Sequence, residues 1–148
     1  MLKPTKILVP TDFSEYSDKA LRQALDIAKQ YGAKVFLLHV IQEHAIQTID
    51  EYSIGIEVVQ EIEKQILSKA KESMQKQLAK FAEYKDVEII ADIKNGIPYE
   101  ETLKEADEKK VGLIVIASLG KSGISRYLIG SVARNVLQGA NCPVLLTK

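Results

Sequence analysis

The chain has 148 residues, 46% hydrophobic and 27% charged, which is the size and make-up of one ordinary folded domain over residues 1–148, able to bury a core without disulfide or metal support. Twenty Lys and Arg balance twenty Asp and Glu, so no net field favours nucleic acid or an anionic membrane as partner. Cys142 is the single cysteine, which excludes an internal disulfide and fits a reducing compartment; the apolar stretch after Met1-Leu2-Lys3-Pro4 is too short for a signal peptide or a membrane span, so a cytoplasmic protein is expected.

The first predicted element is a strand, Lys6-Ile7-Leu8-Val9-Pro10, whose apolar run without polar alternation suits a strand covered on both faces. Thr11-Asp12-Phe13-Ser14 breaks it with turn and capping residues. From about Ser14 to Tyr31, apolar positions at Ala20, Leu21, Ala24, Ile27, Ala28 and Tyr31 form one face of a helix, closed by Gly32 in the left-handed conformation. Residues 34 to 41 read as a second buried strand, and residues 42 to 55 as irregular. A long amphipathic helix follows, with Val59, Ile62, Ile66, Ala70, Met74, Leu78 and Phe81 on one stripe, read as core. Residues 87 to 93 alternate enough for a third strand near a sheet edge. Gly96-Ile97-Pro98 opens a helix, with Glu100 and Glu101 suited to its positive end and Lys109 and Lys110 to its negative end. Gly112 to Ala117 is the fourth strand, a small-residue loop comes next, then a helix from about Ser131 to Gly139 and a fifth strand at Pro143 to Leu146. Alternating strands and helices imply right-handed crossovers, and hence an α/β fold with a parallel sheet and helices on both faces.

In such sheets ligands sit at the carboxyl ends of the strands, where strand order reverses. The loop after strand four stands out: Ala117-Ser118-Leu119-Gly120-Lys121-Ser122-Gly123, continuing to Gly130-Ser131. Glycines let backbone N–H groups approach an anion, and a helix starting at Ser131 aims unpaired N–H groups and a positive dipole end at the same point. Lys121 adds a cation, and Ser122 and Ser131 add hydroxyl donors. The alternative is a loop whose glycines only make turns. Gly120-Lys121-Ser122 mimics the end of a Walker A loop, but Val115 stands where that motif needs glycine, and Pro10-Thr11-Asp12 replaces any dinucleotide-binding glycine fingerprint after strand one. His39, in a buried strand, is read as a packed, hydrogen-bonded residue, and His44 has no evident partner. Cys142 is read as inert. Two histidines and one cysteine give no metal-ligand spacing, and no serine belongs to a nucleophile motif.

Taken together, Ile7-Leu8-Val9-Pro10-Thr11-Asp12-Phe13-Ser14, Leu37-Leu38-His39-Val40-Ile41, Gly96-x-Pro98, and Gly130-Ser131-Val132-Ala133 with Cys142-Pro143-Val144-Leu145-Leu146 resemble the universal stress protein family over the whole chain. The resemblance implies an open, Rossmann-like five-stranded parallel sheet in the order 3-2-1-4-5, of the adenine nucleotide alpha hydrolase type. The family's ATP-binding branch carries a signature of glycine, two residues, glycine, nine residues, then glycine with Ser or Thr. Gly120, residues 121 to 129, Gly130 and Ser131 fit it, and Ala117 stands where the first glycine belongs. By the same resemblance Pro10, Thr11 and Asp12 line the base and ribose end and Val40 closes over adenine. Residues 117 to 123 and Ser131, Val132 and Ala133 wrap the phosphates. Asp12 approaches a divalent ion, Mg2+ or Mn2+, that accompanies ATP; its alternative reading is a helix-capping aspartate. The function implied is an ATP-binding regulatory module of the stress response, not an enzyme, working through an unidentified protein partner. It would pair as a homodimer through the C-terminal strand. The alternative is a dimeric stress-linked interaction protein that binds no ATP.

Overall fold

The computed structural model describes residues 2–42, 55–120 and 128–148. Five strands are present among them: β1 (Lys6–Pro10), β2 (Lys34–Gln42), β3 (Ile89–Gly96), β4 (Leu113–Ala117) and β5 (Val144–Thr147). They form one parallel sheet in the order β3-β2-β1-β4-β5, as the resemblance implied. The helices are α1 (Glu15–Tyr31), α2 (Ile56–Ala79), α3 (Pro98–Glu108) and α4 (Ser131–Gly139).

Alternation along the strands divides the core in two. Ile7 and Val9 of β1, Val35 and Leu37 of β2, and Leu113 and Val115 of β4 pack with α1 and with Met74 of α2. Leu8, Phe36, Leu38, Ile114 and Ile116 point the other way, toward α3 and α4. Both faces of β1 are thus covered, which is why its sequence shows no polar alternation. A leucine or isoleucine buried this completely contributes about 1.5–3 kcal/mol relative to exposure.

Caps fix where helices begin and end. The Ser14 hydroxyl accepts from the Ser17 N–H, and Gly32 closes α1 at φ 68°. At the end of α3 the geometry differs from the expectation: Lys110 lies outside the helix at φ 54°. There the N–H of Val111 reaches back to the carbonyl of Ala106 and that of Lys110 to Asp107, a Schellman closure made without glycine. Two further boundaries shift. Phe81 lies beyond α2, in a turn held by its N–H to Leu78 O, yet is buried as expected. The third strand starts two residues later than its apolar run: Val87 donates to Tyr84 O in a turn, and the ladder to β2 begins with Val35 N–H donating to Glu88 O. Of residues 42 to 55, expected to be irregular, 43 to 54 lie outside the described residues, while Gln42 ends β2 and Gly55 is the N-cap of α2.

Candidate functional site

The chain leaves β1 in one direction across the sheet to β2 and β3 and returns on the other side for β4 and β5, so the reversal falls between β1 and β4. Adjacent crossovers diverge there and leave a crevice at the carboxyl ends. A cleft of about 660 Å³ occupies it. Pro10, Thr11 and Asp12 enter it from the end of β1 and Val40 from β2. Ala117, Ser118, Leu119 and Gly120 enter from the end of β4, and Gly130, Ser131, Val132 and Ala133 from the start of α4. Lys121, Ser122 and Gly123 lie outside the described residues. The cleft also has walls that sequence reasoning missed: Pro98 and Thr102 at the start of α3, Phe13 and His39, and Ile66, Lys69, Ala70 and Ser73 on α2. The α2 residues recur at helical spacing, but no local signal says that this helix leans over the strand ends.

The loop after β4 is closed at its base. Ser118 N–H donates to Thr147 O at 2.8 Å and Gly130 N–H donates to Ser118 O at 2.7 Å, so the two ends of the loop meet. Gly130 sits at φ −59°, ψ 154°, so its glycine answers to space and not to a left-handed backbone: a Cβ there would lie 3.3 Å from Ser118 O. Gly120 is tighter still, with an added Cβ only 2.6 Å from Asp12 Oδ2. Carboxylate and glycine loop therefore face each other across the reversal. Gly130 is the N-cap of α4 and brings no capping side chain, so among the described residues the first N–H groups of the helix have no side-chain cap. Ala117 is the last residue of β4 and has no positive φ; its side chain packs with the α1-side core.

The turn after β1 is held from several sides. Thr11 N–H donates to Leu38 O, and its carbonyl lies 2.8 Å from His39 Nδ1. A carbonyl only accepts, so Nδ1 carries the proton. This is the hydrogen-bonded histidine expected from the sequence, and its ring also stacks on Phe13 at 4.2 Å between centroids. Phe13 takes φ 66° and donates its N–H to Thr11 Oγ1. Asp12 Oδ1 accepts from Ser14 N–H at 2.9 Å in a turn ahead of the helix, while its other oxygen lies on the Gly120 side; the cap of α1 is Ser14, not the Asp12 of the alternative reading. The Thr11 side chain points away from the α4 side of the cleft, toward α2.

Among the described residues no group of three His, Cys, Asp or Glu is placed to hold a metal ion. Among the described residues Asp12 is the carboxylate lining the cleft, too few protein ligands for an all-protein cage. Cys142 is half-buried, and burial first, then Asp107, pushes its thiol above the ordinary value, which disfavours the reactive thiolate. Among the described residues no helix is long and apolar enough to cross a membrane.

Residues 4–148 match the model of the universal stress protein family. The chain belongs to that family. It is 36% identical to universal stress protein MJ0577 of Methanocaldococcus jannaschii over 97% of this chain and 94% of that one. Universal stress protein YxiE of Bacillus subtilis is also 36% identical, with 97% and 98% covered. The solved structure of MJ0577 superposes with a TM-score of 0.83 at 32% identity, covering 100% of this universal stress protein and 97% of its neighbour. A universal stress protein solved in complex with cAMP gives a TM-score of 0.64 at 25% identity, with 98% and 97% covered.

Proposed function

We propose that this universal stress protein binds an adenine nucleotide, ATP, in the cleft at the β1–β4 reversal and works as a nucleotide-dependent regulatory module. The observation that carries the reading is the closed loop from Ser118 to Gly130, whose base opens onto the uncapped start of α4 and faces Asp12. Phosphates at the α4 start would receive N–H donors and the positive end of the helix dipole. Pro10 and Val40, both on the α3/α4 side of the sheet, provide apolar walls for a base, and Asp12 is positioned for the ribose or for a divalent ion bridging to phosphate. Lys121, Ser122 and Gly123 complete the phosphate end in this reading. The cAMP complex of a structural neighbour supports the adenine-nucleotide class.

Binding without rapid turnover is the activity proposed, since among the described residues the cleft is lined by no arginine to stabilise transferring phosphate. The test is to denature protein purified from its host and to identify any released ligand by mass spectrometry, then to titrate the emptied protein with ATP by calorimetry. Recovered ATP or ADP, or a measurable heat of ATP binding, is the expected result. An empty pocket with no heat would transfer the role to the dimeric interaction reading.

A further inference from the structure

Gln77 is a polar residue on the apolar stripe of α2, 2% exposed, at a position where the sequence pattern calls for core. Its amide is fully engaged. Nε2 lies 2.8 Å from Asp18 Oδ1 and 3.3 Å from Ser17 Oγ. A carboxylate only accepts, so the nitrogen faces Asp18 and the oxygen must face Thr11, whose hydroxyl donates to Oε1 at 2.8 Å. Asp18 is in turn paired with Lys80 on the surface. Thr11 Oγ1 also accepts the N–H of Phe13, the residue held at positive φ, and the next N–H, that of Ser14, is held by Asp12. A chain of bonds thus runs from α2 through Thr11 to the backbone that aims Asp12 at Gly120.

We infer that Gln77 is a positioning residue for the nucleotide site, acting through Thr11 to hold the 11–14 turn and so the Asp12 carboxylate. The inference rests on the nucleotide reading above. An apolar residue at 77 would pack as well against Met74 and the sheet, but would leave Thr11 Oγ1 with only Ser17 Oγ, 3.0 Å away, and the Phe13 N–H as partners, a weaker hold on the positive-φ Phe13 backbone. A polar side chain buried 66 residues from its partner costs desolvation unless the bond is made, and here it is made to the turn that, among the described residues, carries the cleft carboxylate Asp12. The same face of α2 carries Lys69 and Ser73, both lining the cleft, so the bond also sets how closely this wall approaches the strand ends.

The test compares the parent with Gln77→Met, close in shape without the amide, and with Thr11→Val, which removes the hydroxyl from the other end. Lys80→Gln, which loosens only the outer end of the network, is the control. Amide exchange by NMR and ATP titration are measured on each protein. In both test variants, Phe13 and Ser14 amides should exchange at least about tenfold faster while those of Ala24 and Leu25 in α1 do not change. ATP affinity should fall about three- to tenfold, the range for one hydrogen bond. Lys80→Gln should show neither effect. Unchanged exchange at Phe13 and Ser14, uniform acceleration across α1, or unaltered ATP affinity overturns the inference. If the parent itself binds no ATP, the nucleotide reading has failed, and the exchange data alone still show whether Gln77 holds the turn.

Discussion

At the scale of single residues, the cleft turns on where a methyl group is tolerated. At Gly130 a Cβ would press on Ser118 O at 3.3 Å, and two further methyls on a valine have to go toward the start of α4. Gly130→Val is expected to weaken ATP binding more than tenfold in calorimetry, with circular dichroism showing the fold retained. Ala117→Gly should change affinity less than about twofold, because the Ala117 methyl packs with the α1-side core and one hydrogen bond's worth of change is not at stake. An equal loss in both variants would mean that the loop acts by general rigidity and not by close approach. Lys110, held at φ 54° to close α3, carries a strain that glycine does not. Lys110→Gly should therefore raise stability by about 0.5–1 kcal/mol in urea unfolding, without touching the cleft.

At the scale of elements, β3 and α3 are tied by an ion pair between Lys94 and Glu105, the latter 3% exposed. The bond to Glu105 is the main reason that the Lys94 ammonium is held above its ordinary value of 10.5; burial opposes it. A folded value raised above the unfolded one adds stability that is fully present below the unfolded value and is lost as pH rises through the folded one. Lys94→Met leaves a buried carboxylate unpaired and is expected to cost about 1–3 kcal/mol at pH 7. On the alkaline side the difference from the parent should persist to about pH 10.5 and shrink above it, in chemical denaturation run across pH. A gap that already closes between about pH 8 and 10 would show that some other group carries the effect. The other edge of the sheet, β5, is short, apolar and paired on one side only, to β4. Such an edge invites a second chain, so we expect a homodimer through β5, seen by sedimentation at tens of micromolar, the scale of ordinary weak interfaces. A monomer at that concentration would remove this interface.

At the scale of the whole molecule, a ligand seated where two crossovers diverge touches the ends of β1 and β4 and the starts of α3 and α4 at once, so its binding energy should appear as global stability. ATP at 100 times its dissociation constant adds about 2.7 kcal/mol. For a chain of this size that corresponds to a rise of about 5–10 °C in melting temperature. Scanning calorimetry with ATP, with adenosine and with GTP separates the contributions of phosphate and base; no shift with ATP would count against the cleft as its site. Turnover measured on the same samples should stay far below the roughly 10 per second of an ordinary enzyme.

Much of this architecture was legible in the sequence because local rules and the fold agree. Uninterrupted apolar runs rich in β-branched residues at Ile7-Leu8-Val9 and Ile114-Val115-Ile116, bounded by turn residues, suit strands covered on both sides. Ser14 and Gly32 mark the ends of α1 by their own hydrogen-bonding and φ preferences, and alternating strands and helices dictate parallel pairing. The residues that line the cleft from the strand ends were legible through the resemblance to the universal stress protein family, which implied the strand order that fixes which loops converge. What no local pattern contains is a contact made across 66 residues, or the sign of a side chain's direction at a strand end. The Thr11 hydroxyl turns to Gln77, α2 leans over the cleft with Lys69 and Ser73, and Gly120 is glycine because Asp12 comes within a methyl's reach. Each depends on the distance between elements brought together only when the sheet assembles. Sequence by itself thus determined the elements and the order that creates the crevice, while tertiary packing decided which atoms face into it, because only packing sets the spaces between surfaces that the chain encodes far apart.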